Sequence, residues 1–324
     1  MKRVLTVITT LLTTIGSLQA APASNTVEIV YNGTTATVSV AANISSYITD
    51  NSAGSSHVKL VQSASVGDAT GEITYILSGT SADGEFYLDG SYKCTVELNG
   101  LTLTNPAGPA INIQDGKRIK VKMTEGTTST LTDGKNDAYN GCLHSKGHTE
   151  FRGKGTLNVT GNSRHAIYSK EYIQLKNSTI NILGAVKDGI HCKEYFLMES
   201  GTVKITSADD DGIQVELDDE LENTGTTIDH EDENTGNFYQ TDGTLNISGY
   251  AGKAIKADGT ISYTGGSRNF TAAETEDATT AIAKVDADTA VDAVYDLQGR
   301  QVAAPRKGLY IFKQGNTTVK RYAK

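Results

Sequence analysis

A short repeat in the second half of the chain constrains its fold more than any other feature of the sequence. The repeat has four copies, GTLNVTG, STINILG, GTVKITS and GTLNISG, which begin at residues 155, 178, 201 and 243. Each copy is a glycine or serine, followed by a threonine and an alternating apolar segment. The first three starts are evenly spaced, and the step from 201 to 243 is almost twice as long. A second motif, HAIYS, DGIHC, DGIQV or KAIKA, begins ten residues after each first motif. Self-similarity at a fixed period of this length is typical of a solenoid.

The repeat predicts three short strands in each coil. Alternation in the first motif buries every second residue, which is the period of a half-buried strand. The second motif adds the column Ile167, Ile190, Ile213 and Ile255, and a third strand such as YIQLKNS precedes each first motif. Successive repeats must therefore stack to bury a continuous apolar core. We predict an all-β fold, a right-handed single-stranded parallel β-helix of about seven coils, with the hand that parallel crossovers favour.

The rest of the sequence predicts what lies at the two ends of the solenoid. A basic start, an apolar run and small residues give the first twenty residues the layout of a secretory signal peptide. An Asn32-Gly33 pair between alternating segments predicts a tight hairpin in an N-terminal cap. The predicted segments are a signal peptide at 1–20, a β cap at 21–70, the solenoid at 71–266, a linker at 267–292 and a small β domain at 293–324.

The long step between the last two repeats contains an insertion. Residues 216–234, ELDDELENTGTTIDHEDEN, carry nine carboxylates and no lysine or arginine. Insertions in solenoids emerge from one face as loops. We therefore expect this segment to be an exposed acidic loop.

Composition excludes several classes of protein. The formal net charge of -9 argues against a nucleic-acid partner, because phosphate binding needs a basic surface. After the first twenty residues, no stretch approaches the ~20 apolar residues of a membrane-spanning helix. Cys94, Cys142 and Cys192 lack metal-ligand spacing and indicate small buried residues rather than a disulfide framework. We expect the mature chain to be a monomer.

The repeat resembles a family of secreted β-helix carbohydrate-binding proteins of the pectate-lyase-like superfamily. Coils of that family carry an Asp-Gly-Ile turn after a Gly-Thr-aliphatic strand, and the matching turns in this chain begin at Asp188 and Asp211. The resemblance implies calcium held in turns between coils. It also implies binding to cellulose-like and polygalacturonate-like polymers, without demonstrated cleavage. His165 and Lys253 stand where aspartate is expected, so we expect calcium near the central coils.

The end of the chain resembles a type A sorting domain of the type IX secretion system. The resemblance lies in the segments VYDLQGRQV and KGLYIF and in the basic C-terminus. It implies handling by outer-membrane export and anchoring machinery. The chain is then expected to be secreted or held at the cell surface, outside the outer membrane.

The Asp-Gly turns are the candidate metal site. Asp188 and Asp211 are one repeat apart, so we expect them on neighbouring coils at about one strand spacing, with Asp209 and Asp210 beside them. Like charges at that distance repel unless a cation or a proton intervenes. Calcium, which is bound by carboxylate and carbonyl oxygens, suits such a cluster. The alternative is that each aspartate closes an Asx-turn on its own backbone.

A column of outward side chains is the candidate sugar-binding surface. A solenoid presents one side chain per coil along a flat face. The column beside the isoleucines consists of Tyr168, His191, Gln214 and Lys256, and His144 precedes it. Tyr172 and Tyr195 form a predicted aromatic pair in register, and aromatic faces pack well against sugar rings. The alternative for the pair is ordinary tyrosine on a strand surface.

An enzyme and a structural protein remain alternatives to a binding protein. For a polyuronate lyase, the base that removes a proton is sought among Arg164, Lys187 and Lys193. For a hydrolase, the run Asp209–Asp211 supplies the carboxylates, and His191 is expected nearby. A solenoid with a sorting tail also suffices for an adhesive surface protein. We favour polysaccharide binding without catalysis.

Overall fold

The computed structural model describes residues 21–221, 233–272, 293–303, 308–314 and 317–323. The predicted signal peptide, the centre of the acidic insertion and most of the predicted linker lie outside these residues. The chain divides into two compact units, Met1–Glu274 and Thr275–Lys324. Within the described residues, no helix has the length and hydrophobicity to span a bilayer.

The first unit begins with a short N-terminal segment of mixed strands. Its elements are β1 (Thr26–Asn32), β2 (Thr35–Val40), a 3-10 helix (Ala42–Tyr47), β3 (Ile48–Asp50) and β4 (His57–Gln62). β1 and β2 form an antiparallel hairpin around Gly33, whose φ of 65° is easily adopted only by glycine. The predicted Asn32-Gly33 hairpin is confirmed. Its first strand continues into the solenoid, because β1 pairs in parallel with a later strand over Thr74–Thr80.

The coils follow, each built from three short strands. They are β5 (Ile73–Ser81), β6 (Glu85–Asp89), β7 (Cys94–Leu98), β8 (Thr102–Asn105), β9 (Ile111–Ile113), β10 (Ile119–Met123), β11 (Thr128–Asp133), β12 (Gly141–Ser145), β13 (Thr149–Arg152), β14 (Thr156–Gly161), β15 (His165–Ser169), β16 (Ile173–Leu175), β17 (Ser178–Ala185), β18 (Ile190–Lys193), β19 (Tyr195–Met198), β20 (Gly201–Ile205), β21 (Ile213–Glu216), β22 (Asn237–Gln240), β23 (Thr244–Tyr250), β24 (Ile255–Ala257), β25 (Ile261–Tyr263) and β26 (Ser267–Ala272).

Equivalent strands of successive coils pair in parallel and form three stacks. We call one stack the front sheet; its strands are β4, β6, β9, β12, β15, β18, β21 and β24. The second stack runs from β5 through β7, β10, β13, β16, β19 and β22 to β25. The third runs from β8 through β11, β14, β17, β20 and β23 to β26. The all-β fold and the parallel solenoid are confirmed.

The predicted columns form the core. Ile167, Ile190, Ile213 and Ile255 are vertical neighbours, and the first three are completely buried. Each fully buried isoleucine contributes about 1.5–3 kcal/mol relative to an exposed one. The three cysteines are buried and form no disulfide, as predicted. The repeat therefore works as the sequence indicates, with one apolar side chain per coil added to a continuous stack.

The glycine of the Asp-Gly turns is required by the close approach of two coils. A Cβ at Gly212 would lie 2.6 Å from the carbonyl oxygen of Ala254 and 2.5 Å from Cγ2 of Ile247. A Cβ at Gly189 would lie 2.8 Å from the carbonyl oxygen of Gly212. Any other residue at these positions would push the coils apart.

Two predicted boundaries differ from the structure. The solenoid continues to β26, which pairs with β23 and lies within the segment predicted as linker. At the other end, β4 lies in the predicted cap but already pairs in parallel with β6. The ends of the acidic insertion are not fully exposed either. Asp218, Glu233 and Asn234 are buried, and Asn234 Oδ1 accepts a hydrogen bond from the Asp218 N–H at 2.9 Å.

The described part of the second unit is a three-stranded antiparallel sheet. Its strands are β27 (Ala293–Tyr295), β28 (Gly308–Gln314) and β29 (Thr317–Ala323). Short strands joined by turns are what the sequence of this segment predicts.

Candidate functional site

The predicted outward column lies in register on the front sheet. Tyr168 is paired with His191, His191 with Gln214 and Gln214 with Lys256, while His144 precedes Tyr168. The rings of His144 and Tyr168 are stacked at 5.2 Å, and those of Tyr168 and His191 at 5.4 Å. These side chains are more covered than a flat face would make them, since Tyr168 is 8% and His191 7% exposed.

The column forms part of a cavity of about 310 Å³. Its basic lining residues are Arg164, Lys187 and Lys193, its acidic ones are Asp188, Asp210 and Glu216, and its remaining residues are Asn140, His165, Tyr168, His191 and Gln214. The three alternatives considered for a lyase base therefore line the same cavity as three residues of the outward column, Tyr168, His191 and Gln214. The cavity is polar, with charges of both signs.

Asp188 is the centre of the hydrogen bonds in this cavity. Its Oδ1 accepts the N–H of Asp211 on the next coil at 3.0 Å. Its Oδ2 lies 2.9 Å from Nδ1 of His191 and 3.1 Å from Nδ1 of His165. Burial alone would raise the pKa of Asp188, but the contacts with the two histidines outweigh burial and hold that pKa well below its usual range. Asp188 is therefore a carboxylate.

His191 lies between two carboxylates. Its Nδ1 contacts Asp188, and its Nε2 is 3.4 Å from Oε2 of Glu216. Burial opposes the charged imidazolium, but these two contacts outweigh burial and raise the pKa of His191. For His165, burial dominates and lowers the pKa. The same cavity thus raises the pKa of one histidine and lowers that of the other.

Asp211 repeats the contact of Asp188 one coil further on. Its Oδ1 accepts the N–H of Lys253 at 2.7 Å. Its Oδ2 is buried without a hydrogen bond among the described atoms, and Nζ of Lys256 lies 3.4 Å away. Burial raises the pKa of Asp211. The backbone N–H groups bound by the Asp-Gly aspartates therefore belong to the next coil, whereas an Asx-turn would use an N–H of the same turn.

Two groups of side chains have the spacing of metal ligands. Carboxylate oxygens of Asp188, Asp210 and Asp211 lie within 4.8 Å of one another. Asp209, also predicted as a ligand, is exposed and belongs to neither group in the described part of the chain. The second group is His165, Asp188 and His191. Calcium prefers oxygen ligands, so the first group is the one that fits calcium.

Tyr172 and Tyr195 are paired as predicted, but outside the cavity. Their rings are stacked at 4.7 Å, and His148 stacks on the other side of Tyr172 at 4.2 Å. Tyr195 is 1% exposed, and its hydroxyl accepts a hydrogen bond from Gln174. A ring this buried has no free face for a sugar. The structure thus favours packing as the role of Tyr195.

Glu216 belongs to the cavity although we assigned it only to the acidic insertion. It ends β21, where it is the register partner of Lys193. Counting one repeat onward from Lys193 would have identified this position. Nζ of Lys193 itself contacts Asp218 at 3.2 Å, so the base of the insertion forms ion pairs at the edge of the cavity.

The fold and the cavity define a parallel β-solenoid with a polar cavity on its front sheet. Residues 62–301 match the family of carbohydrate-binding domain-containing proteins, and the chain belongs to this family. A carbohydrate-binding domain-containing protein of Acetivibrio thermocellus is 26% identical over 103 residues, which are 29% of this chain and 36% of that protein. The match thus spans about a third of the relative's length.

A solved structure has the same fold. It is that of the polysaccharide lyase-like protein from C. thermocellum, as a gadolinium derivative. The two chains are 20% identical, the TM-score is 0.58, and the alignment covers 75% of this chain and 99% of that one. At this identity, the similarity concerns the fold alone.

Proposed function

We propose that this chain binds an extracellular polysaccharide, cellulose-like or pectin-like, on its front sheet and does not cleave it. The observation that carries the proposal is the polar cavity of about 310 Å³ built around the Tyr168 and His191 column. Membership of a carbohydrate-binding family supports a sugar as the ligand. The solenoid supports a polymer, because the column continues beyond the cavity along the coils.

The cavity offers preorganised hydrogen-bonding groups to sugar hydroxyls. Nε2 of Gln214 donates to Oε1 of Glu216 at 2.6 Å, so each side chain orients the other. Nε of Arg164 is buried without a hydrogen bond among the described residues, and Lys187 is exposed beside it. Side chains held in place before binding lose little entropy when the ligand arrives. The basic pair also suits the carboxylate of a uronic acid.

The absence of cleavage is proposed because of the state of His191. Both of its ring nitrogens face carboxylates, Asp188 and Glu216, and these contacts raise its pKa. A general base must present a free nitrogen within reach of the proton that it removes. Because both nitrogens of His191 face protein carboxylates, His191 is not placed to act as such a base.

Affinity electrophoresis in gels containing soluble cellulose derivatives or polygalacturonate tests the proposal. Lys187→Ala removes a charged donor and is expected to weaken binding about tenfold, because a hydrogen bond to a charged group contributes ~1.5 kcal/mol or more. Lys154→Ala is the matched control, since Lys154 is exposed and does not line the cavity. A wild-type protein retarded by neither polymer contradicts the proposal and leaves a structural or adhesive role.

We also propose that calcium stabilises the solenoid between the central coils. Asp188, Asp210 and Asp211 would hold it, and Oδ2 of Asp211, which is buried without a hydrogen bond among the described residues, supports this ligand set. Lys256 occupies the same neighbourhood and competes with a cation for Asp211. Calcium should raise the melting temperature by native-state binding, more strongly in Lys256→Ala and less in Asp210→Ala. Identical melting in calcium and in chelator would contradict the proposal.

Polyuronate cleavage is the second candidate function. It is favoured by the presence of Arg164, Lys187 and Lys193 together in one cavity. A base there would remove the proton next to the uronate carboxyl group, and the glycosidic oxygen would leave with formation of a double bond. Incubation with polygalacturonate and calcium, followed by ultraviolet absorbance, detects that double bond. Released reducing ends without such absorbance would indicate hydrolysis instead.

We further propose that the chain acts outside the cell, after type IX export. The sequence resemblance of the last residues to a type A sorting domain supports this location. Deleting residues 293–324 is expected to keep the protein on the periplasmic side of the outer membrane. Cell fractionation followed by detection with an antibody would show this. An unchanged distribution would contradict the assignment of the sorting domain.

A further inference from the structure

A second cavity, of about 160 Å³, lies on the same front sheet. Tyr87 on β6 and Tyr139, just before β12, both line it. At ~30 Å³ per water molecule, this volume holds about five waters, which is the scale of one sugar ring rather than of a chain. Both tyrosines are half-buried, so each keeps part of its ring accessible.

The two cavities share one column of side chains. Tyr87 is paired with Asn112, Asn112 with His144 and His144 with Tyr168. Three strand spacings separate Tyr87 from Tyr168, or about 14 Å. Rings also connect the cavities, because Tyr139 lies edge-on to His144 at 5.3 Å and His144 stacks on Tyr168. A linear ligand parallel to the solenoid axis would contact both cavities.

The wall of the second cavity is held in shape before any ligand binds. Asn105 donates to the carbonyl of Pro109 at 2.7 Å and accepts the N–H of Ala107. Asn136, in the turn of the next coil, donates to the carbonyl of Ala107 at 2.8 Å and accepts the N–H of Ala138. The two asparagines thus tie two stacked turns together. A fixed wall reduces the entropy that binding costs.

The second cavity differs chemically from the first. Its cation, Lys59, lies over the Tyr87 ring at 5.4 Å, and its histidine, His57, contacts Asp83 at 3.0 Å. Two aromatic rings and few unpaired charges suit the apolar face of an uncharged pyranose ring. The first cavity, with Arg164 and Lys187, offers charged donors instead.

We propose that the Tyr87–Tyr139 cavity is a second sugar-binding subsite, which stacks an uncharged pyranose ring of the same glycan chain that occupies the first cavity. This inference rests on the proposed function. Joining two subsites through one ligand makes the second contact intramolecular, so affinity increases with ligand length once the chain spans both. A disaccharide reaches one cavity, whereas a hexasaccharide reaches both.

Isothermal titration with cello-oligosaccharides, from disaccharide to hexasaccharide, tests the inference, and galacturono-oligosaccharides test whether the first cavity binds a charged chain. The wild type is expected to bind the cello-hexasaccharide at least tenfold more tightly than the cello-disaccharide. A Tyr87→Ala, Tyr139→Ala double variant should lose most of this gain and keep its disaccharide affinity, since each ring contact contributes up to about tenfold. The Tyr87→Phe, Tyr139→Phe variant keeps both rings and should keep the gain.

The controls separate this inference from the function on which it rests. Tyr263→Ala removes a partly exposed tyrosine from the second stack and should leave every affinity unchanged. If the double alanine variant does not fold, Tyr139→Ala alone replaces it, because Tyr139 lies between β11 and β12, outside the strands. A wild type that binds no oligosaccharide overturns the proposed function and the inference together. A length gain that persists without the two rings overturns the inference alone.

Discussion

The Asp188 side chain bonds to the next coil and to two histidines of the cavity, and replacing it by alanine removes all of these contacts. Asp188 is 1% exposed and accepts the N–H of Asp211 with one oxygen. Its other oxygen contacts His165 and His191. Alanine leaves these three partners in a largely buried site without the carboxylate that they share. The variant should therefore lose stability although its apolar core is intact.

The loss can be estimated from these contacts. A hydrogen bond to a charged group contributes about 1.5–3 kcal/mol. Breaking a buried ion pair by removing one partner costs about 3–5 kcal/mol, because the other charge stays buried. We expect Asp188→Ala to lower the free energy of unfolding by about 4 kcal/mol, out of the ~5–15 kcal/mol typical of a folded domain. Since the pKa of Asp188 is lowered in the folded state, its stabilisation is present above the ordinary aspartate pKa and is lost as the pH falls below it.

Urea unfolding followed by circular dichroism measures this loss. Asp209→Ala is the matched control, because Asp209 is exposed and a surface substitution changes stability by about 0.5 kcal/mol or less. Asp188→Asn keeps an acceptor for the Asp211 N–H but not the charge facing His191, so it should be intermediate. If Asp188→Ala unfolds like Asp209→Ala, the contacts between coils do not stabilise the protein. If the loss disappears in chelator, bound calcium accounts for it instead.

Two further predictions concern packing and pH. Gly212→Ala should lower the free energy of unfolding by about 3 kcal/mol, because its Cβ overpacks the contact between coils. Gly184→Ala is the control and should change stability little, since its Cβ would meet nothing within 4 Å. Equal urea midpoints for the two variants would refute the close approach of the coils. Burial raises the pKa of Asp133 to about 6, so its folded form holds a proton that the unfolded form has released, and stability falls as the pH rises through about 6. The Asp133→Asn variant has no carboxyl group at this position and should not show this fall. The difference in unfolding free energy, variant minus wild type, should therefore rise by about 3 kcal/mol from about pH 4 to neutrality. A difference that stays constant with pH would contradict the raised pKa.

The length of the repeat predicted which residues stack in the core, because residues one repeat apart become vertical neighbours in a solenoid. Ile190 and Ile213 had to be vertical neighbours once the length of the repeat was known, and they are. The same argument placed Asp188 next to Asp211. It did not reveal that Asp188 accepts the Asp211 N–H, because that bond depends on the backbone of the next coil. The last strand of the solenoid, Ser267–Ala272, was missed because only its pairing with β23 marks it as a strand.

The exposure of the site was the least predictable feature. Spacing predicted that Tyr168 and His191 point outward, and both lie in the predicted column. It predicted a flat face, whereas flanking residues such as Arg164 and Lys187 make a cavity. The conformation of those turns does not follow from the strand period. For the same reason, Tyr195 was predicted as a sugar platform although its neighbours cover it.

The outward column offers a different side chain on each coil, from His144 through Tyr168, His191 and Gln214 to Lys256. A homopolymer presents identical groups at every unit. Moving such a polymer along the column by one unit would exchange every contact for a different one, so one alignment is favoured over its neighbours. Under the proposed function, such a column would hold a glycan chain in one alignment and resist its sliding along the solenoid.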